Sequence, residues 1–238
     1  MNKVRIVGAG RAGRSFLAAL EKVGWRAAGA LGRDDDVRGA ASGVDLLLIT
    51  TPDAAIAEVA AAVEPVPTTL VAHAAGSLGP DVLAPHPRRA AIHPLRSLPT
   101  PTSDLSGAWF AVAGDPRAAD VVADLGGHAV HVADGPTTRA AYHAAAVVAS
   151  NHVVALLGQV ERLAAAAGVP LDAFFDLVRG TVDNVEVMGP RLALTGPVAR
   201  GDWDTVRRHV DAIGDDERDA YLALAREAAR LAGRELPW

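Results

Sequence analysis

The feature that most constrains the fold of this sequence is a glycine pattern near its amino terminus. Gly8-Ala9-Gly10-Arg11-Ala12-Gly13 directly follows the apolar run Val4-Arg5-Ile6-Val7 and opens a segment with helical spacing of apolar residues. Strand, glycine turn and helix in this order form a fingerprint in which Gly8 permits a tight turn, Gly10 lets the backbone approach a diphosphate, and Gly13 lets helix and strand touch. Because the amides of a helix N-terminus attract anions, residues 8–13 are predicted to bind a dinucleotide.

The first half of the chain alternates short apolar runs with helical patterns, which is typical of βα units and a parallel sheet. Strands are predicted near residues 4–7, 26–31, 45–49, 69–72, 90–93, 109–113 and 129–132. Helices are predicted near residues 12–23, 54–63 and 116–124. The fold class is therefore α/β, with an N-terminal doubly wound parallel sheet of Rossmann type.

The strand pattern stops after Asp134-Gly135-Pro136, and a long helix is predicted from Pro136 to about residue 167. The rest of the chain is interpreted as all helix. We expect a dinucleotide-binding domain over 1–133 and a helical domain for substrate binding and dimerisation over 134–238. Because a domain this small cannot bury so long a helix, a homodimer through the helical domain is predicted.

The end of the second predicted strand bears on the choice between NAD and NADP. An NAD-binding site needs a carboxylate there for the ribose, whereas the 2′-phosphate of NADP needs positive charge. Residues 29–32 contain no acid, and Arg33 follows, with Arg11 on the glycine turn as a second cation. The alternative is that Arg33 pairs with the acidic turn Asp34-Asp35-Asp36. The sequence favours NADP(H), and Thr50, Thr51 and Pro52 are expected to line its nicotinamide side.

Composition excludes several other classes. A net charge of −5 disfavours nucleic acid, and the lack of cysteine removes disulfides, thiolate nucleophiles and cysteine-bound metals. No histidine pair has zinc-ligand spacing, so no metal is predicted. The most apolar stretch, 140–157, contains two histidines, a serine and an asparagine, so we expect no membrane span and a cytoplasmic protein. The only lysines are Lys3 and Lys22, which excludes a catalytic lysine from the helical half.

Histidines are the candidate proton donors. His93 ends a predicted strand in Ile92-His93-Pro94-Leu95-Arg96-Ser97, where a ligand of an open α/β sheet would lie. Arg96 could hold a substrate carboxylate, with Ser97 beside it. The alternatives are a histidine bonded to a backbone carbonyl and a surface arginine. His73 is a reserve candidate, and Asp53 is interpreted as a helix N-cap.

Two further groups come from the helical half. His143, Ser150 and Asn151 share one broad face of the long helix, and we expect His143 and Asn151 to be catalytic and Ser150 to bind substrate. The alternative is a buried network or a subunit contact. The loop 194–202 could bring Thr195 or Arg200 toward the cleft, or it could simply connect two helices.

Together the motifs GAGRAG, TTPD, IHPLRS, YHAAAVVASN and LTGPVARGD resemble those of bacterial Rossmann-like proteins with a C-terminal helical domain of unknown function. The resemblance covers essentially the whole chain. It extends in layout to pyrroline-carboxylate reductases, ketopantoate reductases and 6-phosphogluconate-type dehydrogenases, which are dimers through helical C-terminal domains. Prephenate dehydrogenases are similar at the His-Pro pair, where their histidine is catalytic, which supports His93.

The resemblance implies an NADP-dependent oxidoreductase that transfers hydride between NADPH and a small carboxylate-bearing carbonyl, as in ketopantoate reduction, or an imine. This sequence departs from ordinary ketopantoate reductases because their catalytic lysine is absent, with Asn151 as its only partial equivalent. Two alternatives stay open: an oxidative enzyme like prephenate dehydrogenase, and a sensor or scaffold that binds NADP(H) without turnover.

Overall fold

The computed structural model describes all 238 residues, 1–238. It divides into two compact units, Met1–Ser150 and Asn151–Trp238. The sequence predicts a boundary at 133/134 from the change in secondary structure, and the last strand does end at His131. The compact division comes later, inside the long helical run that follows, so the predicted boundary stays a prediction.

The first unit is built on one seven-stranded sheet. Its strands are β1 (Lys3–Val7), β2 (Arg26–Leu31), β3 (Leu46–Ile49), β4 (Leu70–His73), β5 (Arg89–Pro94), β6 (Trp109–Gly114) and β7 (His128–His131). Its helices are α1 (Arg11–Lys22), α2 (Ile56–Ala62), α3 (Arg117–Asp124) and α4 (Pro136–Val147), with 3-10 turns at Asp53–Ala55 and Pro80–Leu83. The predicted α/β class, all seven strands and these helices are confirmed to within a few residues.

Strand order in the sheet is β2-β1-β3-β4-β5-β6-β7. Every neighbouring pair is parallel except β5 and β6, which are antiparallel. The predicted all-parallel sheet is wrong at this one pair, because parallel neighbours need a crossover and residues 95–108 contain no helix. The chain leaves β1 in opposite directions toward β2 and β3, so the carboxyl ends of β1 and β3 form a switch point, where ligands of such sheets bind.

Side chains alternate between the two faces of the sheet, and each face carries its own core. Leu46 and Leu48 pack on the same side as Phe16 and Leu20 of α1 and Val122 of α3. The intervening Leu47 and Ile49 pack on the other side, against Ile56 and Ala60 of α2. Helices therefore cover both faces, which confirms the doubly wound prediction. The two lysines lie on the side of the sheet where the strands begin, away from their carboxyl ends, since Lys3 begins β1 and Lys22 ends α1.

The second unit is helical. It contains α5 (Val153–Ala166), α6 (Phe175–Met188), α7 (Pro190–Ala193), α8 (Gly196–Arg200), α9 (Trp203–Ala212) and α10 (Asp215–Leu231), with a 3-10 turn at Leu171–Phe174. Asp202 caps α9 by accepting a hydrogen bond from the Thr205 amide at 3.1 Å. Val198, Val206, Ala225 and Ala229 form a small buried core. Five large apolar side chains of this unit stay more than half exposed: Val154, Leu177, Val182, Val187 and Leu192.

A π-turn at Val148–His152 joins α4 to α5, so residues 136–166 form one helical run. By length and composition alone this run could cross a membrane: the mean hydropathy of its most apolar window is 1.4, and none of that window is buried. A single helix of this kind is weak grounds for a membrane, because a helix that packs against another protein copy has the same composition.

Candidate functional site

The glycine turn lies at the switch point of the sheet. Gly8 has φ +101°, and a Cβ there would come within 2.7 Å of the backbone of Thr50 and Thr51. A Cβ on Gly13 would overlap the Gly8 carbonyl oxygen. Gly10 differs, since a Cβ there would meet nothing within 4 Å. Gly8 and Gly13 are thus required by the close approach of β1, α1 and the end of β3, whereas the space above Gly10 is open.

Helix α1 presents an N-terminus suited to an anion. Gly10 is its N-cap and supplies no side-chain hydrogen bond, and the first turn contains no acidic residue. Arg11, the first helical residue, is exposed beside the turn. The first-turn amides have no intrahelical partner, and the helix dipole adds partial positive charge. A diphosphate could accept hydrogen bonds from these amides.

Arg33 is exposed after β2 and forms no ion pair or hydrogen bond. The acidic turn is occupied with backbone groups instead: Asp35 accepts from the Gly32 amide at 2.6 Å, and Asp36 accepts from the Arg38 amide at 2.9 Å. The interpretation in which Arg33 pairs with the acidic turn is therefore wrong. Its guanidinium is available to a phosphate.

The two threonines after β3 have different roles. The hydroxyl of Thr50 donates to the Gly8 carbonyl at 2.7 Å, so it holds the glycine turn against β3. The hydroxyl of Thr51 is buried and has no hydrogen-bond partner. Thr51 therefore has a polar atom to offer to a ligand, whereas Thr50 acts on the turn. Pro52 is exposed beside them.

A histidine cluster lies at the carboxyl end of β5. The Nδ1 atom of His93 is 2.6 Å from the hydroxyl of Tyr142 on α4, with the direction of the hydrogen bond set by the tautomer. The ring of His143 is edge-on to that of His93, with centroids 5.7 Å apart. His93 and His143, proposed separately as proton donors, thus lie in one cluster. The partner of His93 is a phenol rather than a backbone carbonyl.

Burial decides the protonation of this cluster. Desolvation first, and then the nearby His143 and Arg139, lower the pKa of His93 from 6.5 to about 4. Desolvation also raises the pKa of the Tyr142 hydroxyl to about 12. At neutral pH both His93 and Tyr142 are therefore uncharged. The pair carries a proton on the phenol that a stronger base, such as an alkoxide, can take.

The segment after β4 covers this cluster. A Cβ on Gly76 would overlap Nδ1 of His143 and come 3.0 Å from Cε1 of His93. Ser77 donates to the carboxylate of Asp53 at 3.0 Å, so the predicted capping role of Asp53 is wrong, and Pro52 is the residue at that cap position. His73 is fully buried; its Nδ1 accepts from the Ala75 amide, which leaves Nε2 to donate to the Gly79 carbonyl. Both nitrogens of His73 are used, and it has no spare group for catalysis.

Sequence reasoning misses Tyr142 and Arg139. Both lie on α4, three residues apart, and His143 follows at the next helical position on the same face. The guanidinium of Arg139 is 1% exposed, and its three nitrogens have no hydrogen-bond partner. The sequence pattern that could have identified them is the spacing of three polar side chains, at positions 139, 142 and 143, on an alanine-rich helix. Its significance depends on how α4 packs against β4 and β5.

The other predicted substrate residues are each described within their own unit. Arg96 is exposed and donates to the Asp104 carbonyl at 3.1 Å, and Ser97 is exposed beside it. Ser150 donates to Ala146 of its own helix at 2.9 Å, and Asn151 follows in the π-turn; both have further interactions. Thr195 and Arg200 are exposed at the two ends of α8. The structure does not bring Arg96 or Ser97 to the His93–Tyr142 pair. No group of three or more histidine, aspartate or glutamate side chains could hold a metal.

Sheet order, glycine turn and helical second unit define a dinucleotide-binding fold with a C-terminal helical domain. A sequence profile described as a domain of unknown function, DUF2520, matches residues 108–228. The chain belongs to this family, which confirms the resemblance drawn from its motifs. A comparison with curated proteins finds no match.

Three solved structures share the fold. A proposed NADP oxidoreductase from Bacteroides fragilis has TM-score 0.78 and 20% identity, with 96% of this chain and 98% of that chain covered. Pyrroline carboxylate reductase from Plasmodium falciparum, with NADP bound, has TM-score 0.62 and 10% identity, covering 97% and 98%. An imine reductase from Bacillus cereus has TM-score 0.59 and 14% identity, covering 97% and 94%. At these identities the likeness establishes the shared fold.

Proposed function

We propose that this protein is an NADP(H)-dependent reductase that delivers hydride to the carbonyl or imine carbon of a small substrate. The observation that carries the proposal is the open helix N-terminus at the switch point, with the space above Gly10 unfilled and Arg33 unpaired nearby. The names of the three similar structures support it, since they describe an NADP oxidoreductase, an NADP-bound pyrroline carboxylate reductase and an imine reductase.

The residues present fit the cofactor. The turn Gly8-Ala9-Gly10-Arg11-Ala12-Gly13 would hold the diphosphate through main-chain amides and Arg11. Arg33 would hold the 2′-phosphate with its planar guanidinium. Thr51, whose buried hydroxyl has no partner, and Pro52 would face the nicotinamide. The bound cofactor supplies hydride, and the protein supplies position and a proton.

The proton is assigned to the His93–Tyr142 pair. A hydride that reaches a carbonyl carbon leaves an alkoxide, which is a far stronger base than a phenol. The Tyr142 hydroxyl can give its proton to that oxygen. His93 can then return a proton to Tyr142 through Nδ1 provided that its Nε2 takes one up from water, so that the ring ends neutral and not as an imidazolate. His143, edge-on to His93, would orient the ring. Asn151 and Ser150, predicted to bind the substrate oxygen, remain a proposal.

The substrate class proposed is a small carboxylate-bearing carbonyl, with ketopantoate as one concrete case, or a cyclic imine. The name of the Plasmodium neighbour is that of an enzyme acting on an imine that carries a carboxylate. The oxidative, prephenate-like reaction is the second candidate, because His93 lies next to the last residue of β5, Pro94. Dependence on NADP⁺ with a hydroxy acid would favour it.

A homodimer in the cytoplasm is also proposed. The apolar surface of the second unit, with Val187 82% exposed and Leu192 72% exposed, is more than a monomer in water normally leaves uncovered. A second copy of the chain is the simplest cover for such a face.

Binding of NADPH and NADH by titration calorimetry tests the proposal, with Gly10→Ala as the diagnostic variant. Gly10 has φ −76° and open space around it, so alanine should change the free energy of unfolding by about 1 kcal/mol or less. The added methyl group would occupy the approach of the diphosphate and disturb its charged hydrogen bonds, which should weaken NADPH binding about 10- to 100-fold.

Gly39→Ala is the matched control, because Gly39 also has nothing within 4 Å but lies on an exposed loop away from the turn. It should bind NADPH as the wild type does. NADPH oxidation is then measured spectrophotometrically with 2-oxo acids and cyclic imines. Absence of heat with either cofactor would refute the proposal, whereas tight binding with no turnover on any substrate would identify a sensor or scaffold.

A further inference from the structure

Arg139 is a buried cation with no partner. Its side chain is 1% exposed, and Nε, Nη1 and Nη2 all lack a hydrogen-bond partner. An arginine remains protonated in proteins, so the cost of burial cannot be avoided by releasing the proton. An uncompensated buried charge costs several kcal/mol.

The surroundings of Arg139 do not neutralise this charge. Asp134 is the acid that acts on it, but that side chain is exposed and makes no hydrogen bond to it. The other groups near it, Tyr142, His73 and His93, are a neutral phenol and two imidazoles whose pKa values are lowered by burial. Arg139 also lies in the first turns of α4, where the helix dipole is unfavourable to a cation.

Two other arginines of the protein have acidic partners within the chain. Arg88 forms a two-pronged salt bridge with Asp115, with its Nε 2.9 Å from Oδ2. Arg162 likewise pairs with Glu217. Arg88 and Arg162 are each held by a carboxylate of the chain, whereas Arg139 has no such partner. Its missing partner is therefore an anion that the chain itself does not provide.

The position of Arg139 connects it to the candidate site. Residues three and four apart on a helix lie about 5–6 Å apart at their Cβ atoms, so Arg139 adjoins Tyr142 and His143. A Cβ on Gly79 would lie 3.7 Å from its Cδ, which places the guanidinium under the segment that also covers His143. An anion on Arg139 would thus lie beside the His93–Tyr142 pair.

We propose that Arg139 binds the carboxylate of the substrate, through the two-pronged contact that a guanidinium makes with a planar carboxylate. This rests on the proposed reductase function and assigns to Arg139 the role that the sequence predicts for Arg96. Arg96 is exposed and already donates to a backbone carbonyl. Because the nitrogens of Arg139 are covered, the carboxylate reaches them only when a covering segment moves.

The test uses oxamate, a stable analogue of a 2-oxo acid, and its neutral counterpart oxamide, each titrated with and without NADP⁺. The wild type should bind oxamate and not oxamide. Arg139→Met should weaken oxamate binding about 10- to 100-fold, as expected for loss of hydrogen bonds to a charged group, and should leave NADPH binding unchanged. Arg139→Lys keeps the charge without the planar fork and should fall between the two.

Thermal unfolding without an anion checks that Arg139 is not merely structural. Removing an unpaired buried charge should leave Arg139→Met as stable as the wild type or more stable. Arg117→Met is the control, because Arg117 makes a single backbone contact, to Thr68, and should bind oxamate normally.

Inorganic phosphate is titrated in the same way as a second anion. The proposal is overturned if Arg139→Met binds oxamate as the wild type does, if the wild type binds phosphate but no oxamate, or if it binds neither. Marked destabilisation of Arg139→Met without an anion would also overturn it. Failure of the reductase proposal would be recognised separately, as absence of NADPH binding. The effect of Arg139→Met on oxamate binding is also measured without cofactor, so it does not depend on that result.

Discussion

His93 and Tyr142 show how the surroundings of a side chain set its chemistry. A histidine on the surface would be partly protonated near neutral pH, but burial beside His143 and Arg139 keeps His93 neutral. The role proposed for His93 is therefore that of a neutral proton relay rather than of a positively charged acid. The neutral ring and the neutral phenol together form a pair suited to delivering one proton.

The pKa of His93 predicts a dependence of stability on pH. Its folded pKa of about 4 is below the unfolded value of 6.5, so the unfolded chain binds the proton first as pH falls. The free energy of unfolding should therefore decrease between pH 6.5 and about 4. His93→Asn, which keeps a polar group near Tyr142, should remove about 3 kcal/mol or less of that decrease. Urea unfolding near pH 7.5 and pH 4.5 measures it.

His131→Asn is the control for this experiment, because His131 is exposed and its substitution should leave the decrease as it is in the wild type. Part of the decrease should persist in His93→Asn, since burial also lowers the pKa of His73 and His86. An identical decrease in the wild type and His93→Asn would contradict the prediction.

The sequence predicts where a residue lies in the fold when its position follows from strand periodicity; its role stays a prediction. His93 was placed near the carboxyl end of β5 because the strand pattern stops beside it, and the glycine turn was placed by its spacing between a strand and a helix. Arg96 and Ser97 were chosen for their closeness to His93 in sequence, but the chain leaves the sheet after Pro94. Arg139 was missed because its lack of a partner exists only once α4 has packed.

At the scale of elements, the segment from β4 to its following 3-10 turn fixes the cluster. Gly76→Ala should displace His143 and press on His93, since its Cβ would overlap the first ring and lie 3.0 Å from the second. Overpacking of this kind costs about 1–3 kcal/mol. We expect a lower unfolding midpoint and slower NADPH oxidation, measured by thermal unfolding and by turnover.

Gly79→Ala provides the comparison within the same segment. The added Cβ would lie 3.7 Å from Cδ of Arg139, an ordinary van der Waals distance, and the φ of −85° at Gly79 suits alanine. Its stability should stay within about 0.5 kcal/mol of the wild type. Equal effects of the two substitutions would mean that His143 does not pack on Gly76 as described.

Element types were predictable because apolar residues alternate in strands and recur every three or four residues in helices. The reversal of β6 was not, because strand direction depends on the path of residues 95–108, which carry no periodic pattern. The π-turn at Val148–His152 was also unpredictable, since one residue added to a helical turn leaves little trace in composition.

At the scale of the whole molecule, the two units differ in how well they bury their apolar residues. The first has cores on both faces of a sheet, while the second has one small core and a large exposed apolar surface. This difference is the physical reason to expect a second copy of the chain. The sequence anticipated it from the length of one helix.

Sedimentation equilibrium should therefore give twice the monomer mass of 24.5 kDa. Leu177→Asp, which places a charge on an apolar side chain that is 67% exposed, should shift the protein toward monomer. Ala61→Asp adds the same charge to an exposed position of α2 and should leave the mass unchanged. A wild-type mass equal to that of one chain would contradict the dimer.

The scarcity of lysine has a practical consequence. Apart from the amino terminus, the only primary amines are those of Lys3 at the start of β1 and Lys22 at the end of α1. Both lie on the side of the sheet where the strands begin, opposite the glycine turn and His93. Coupling through amines to a sensor chip would therefore attach every molecule in nearly one orientation. The glycine turn and His93 would face the flowing solution, and the coupling reaction would not modify them.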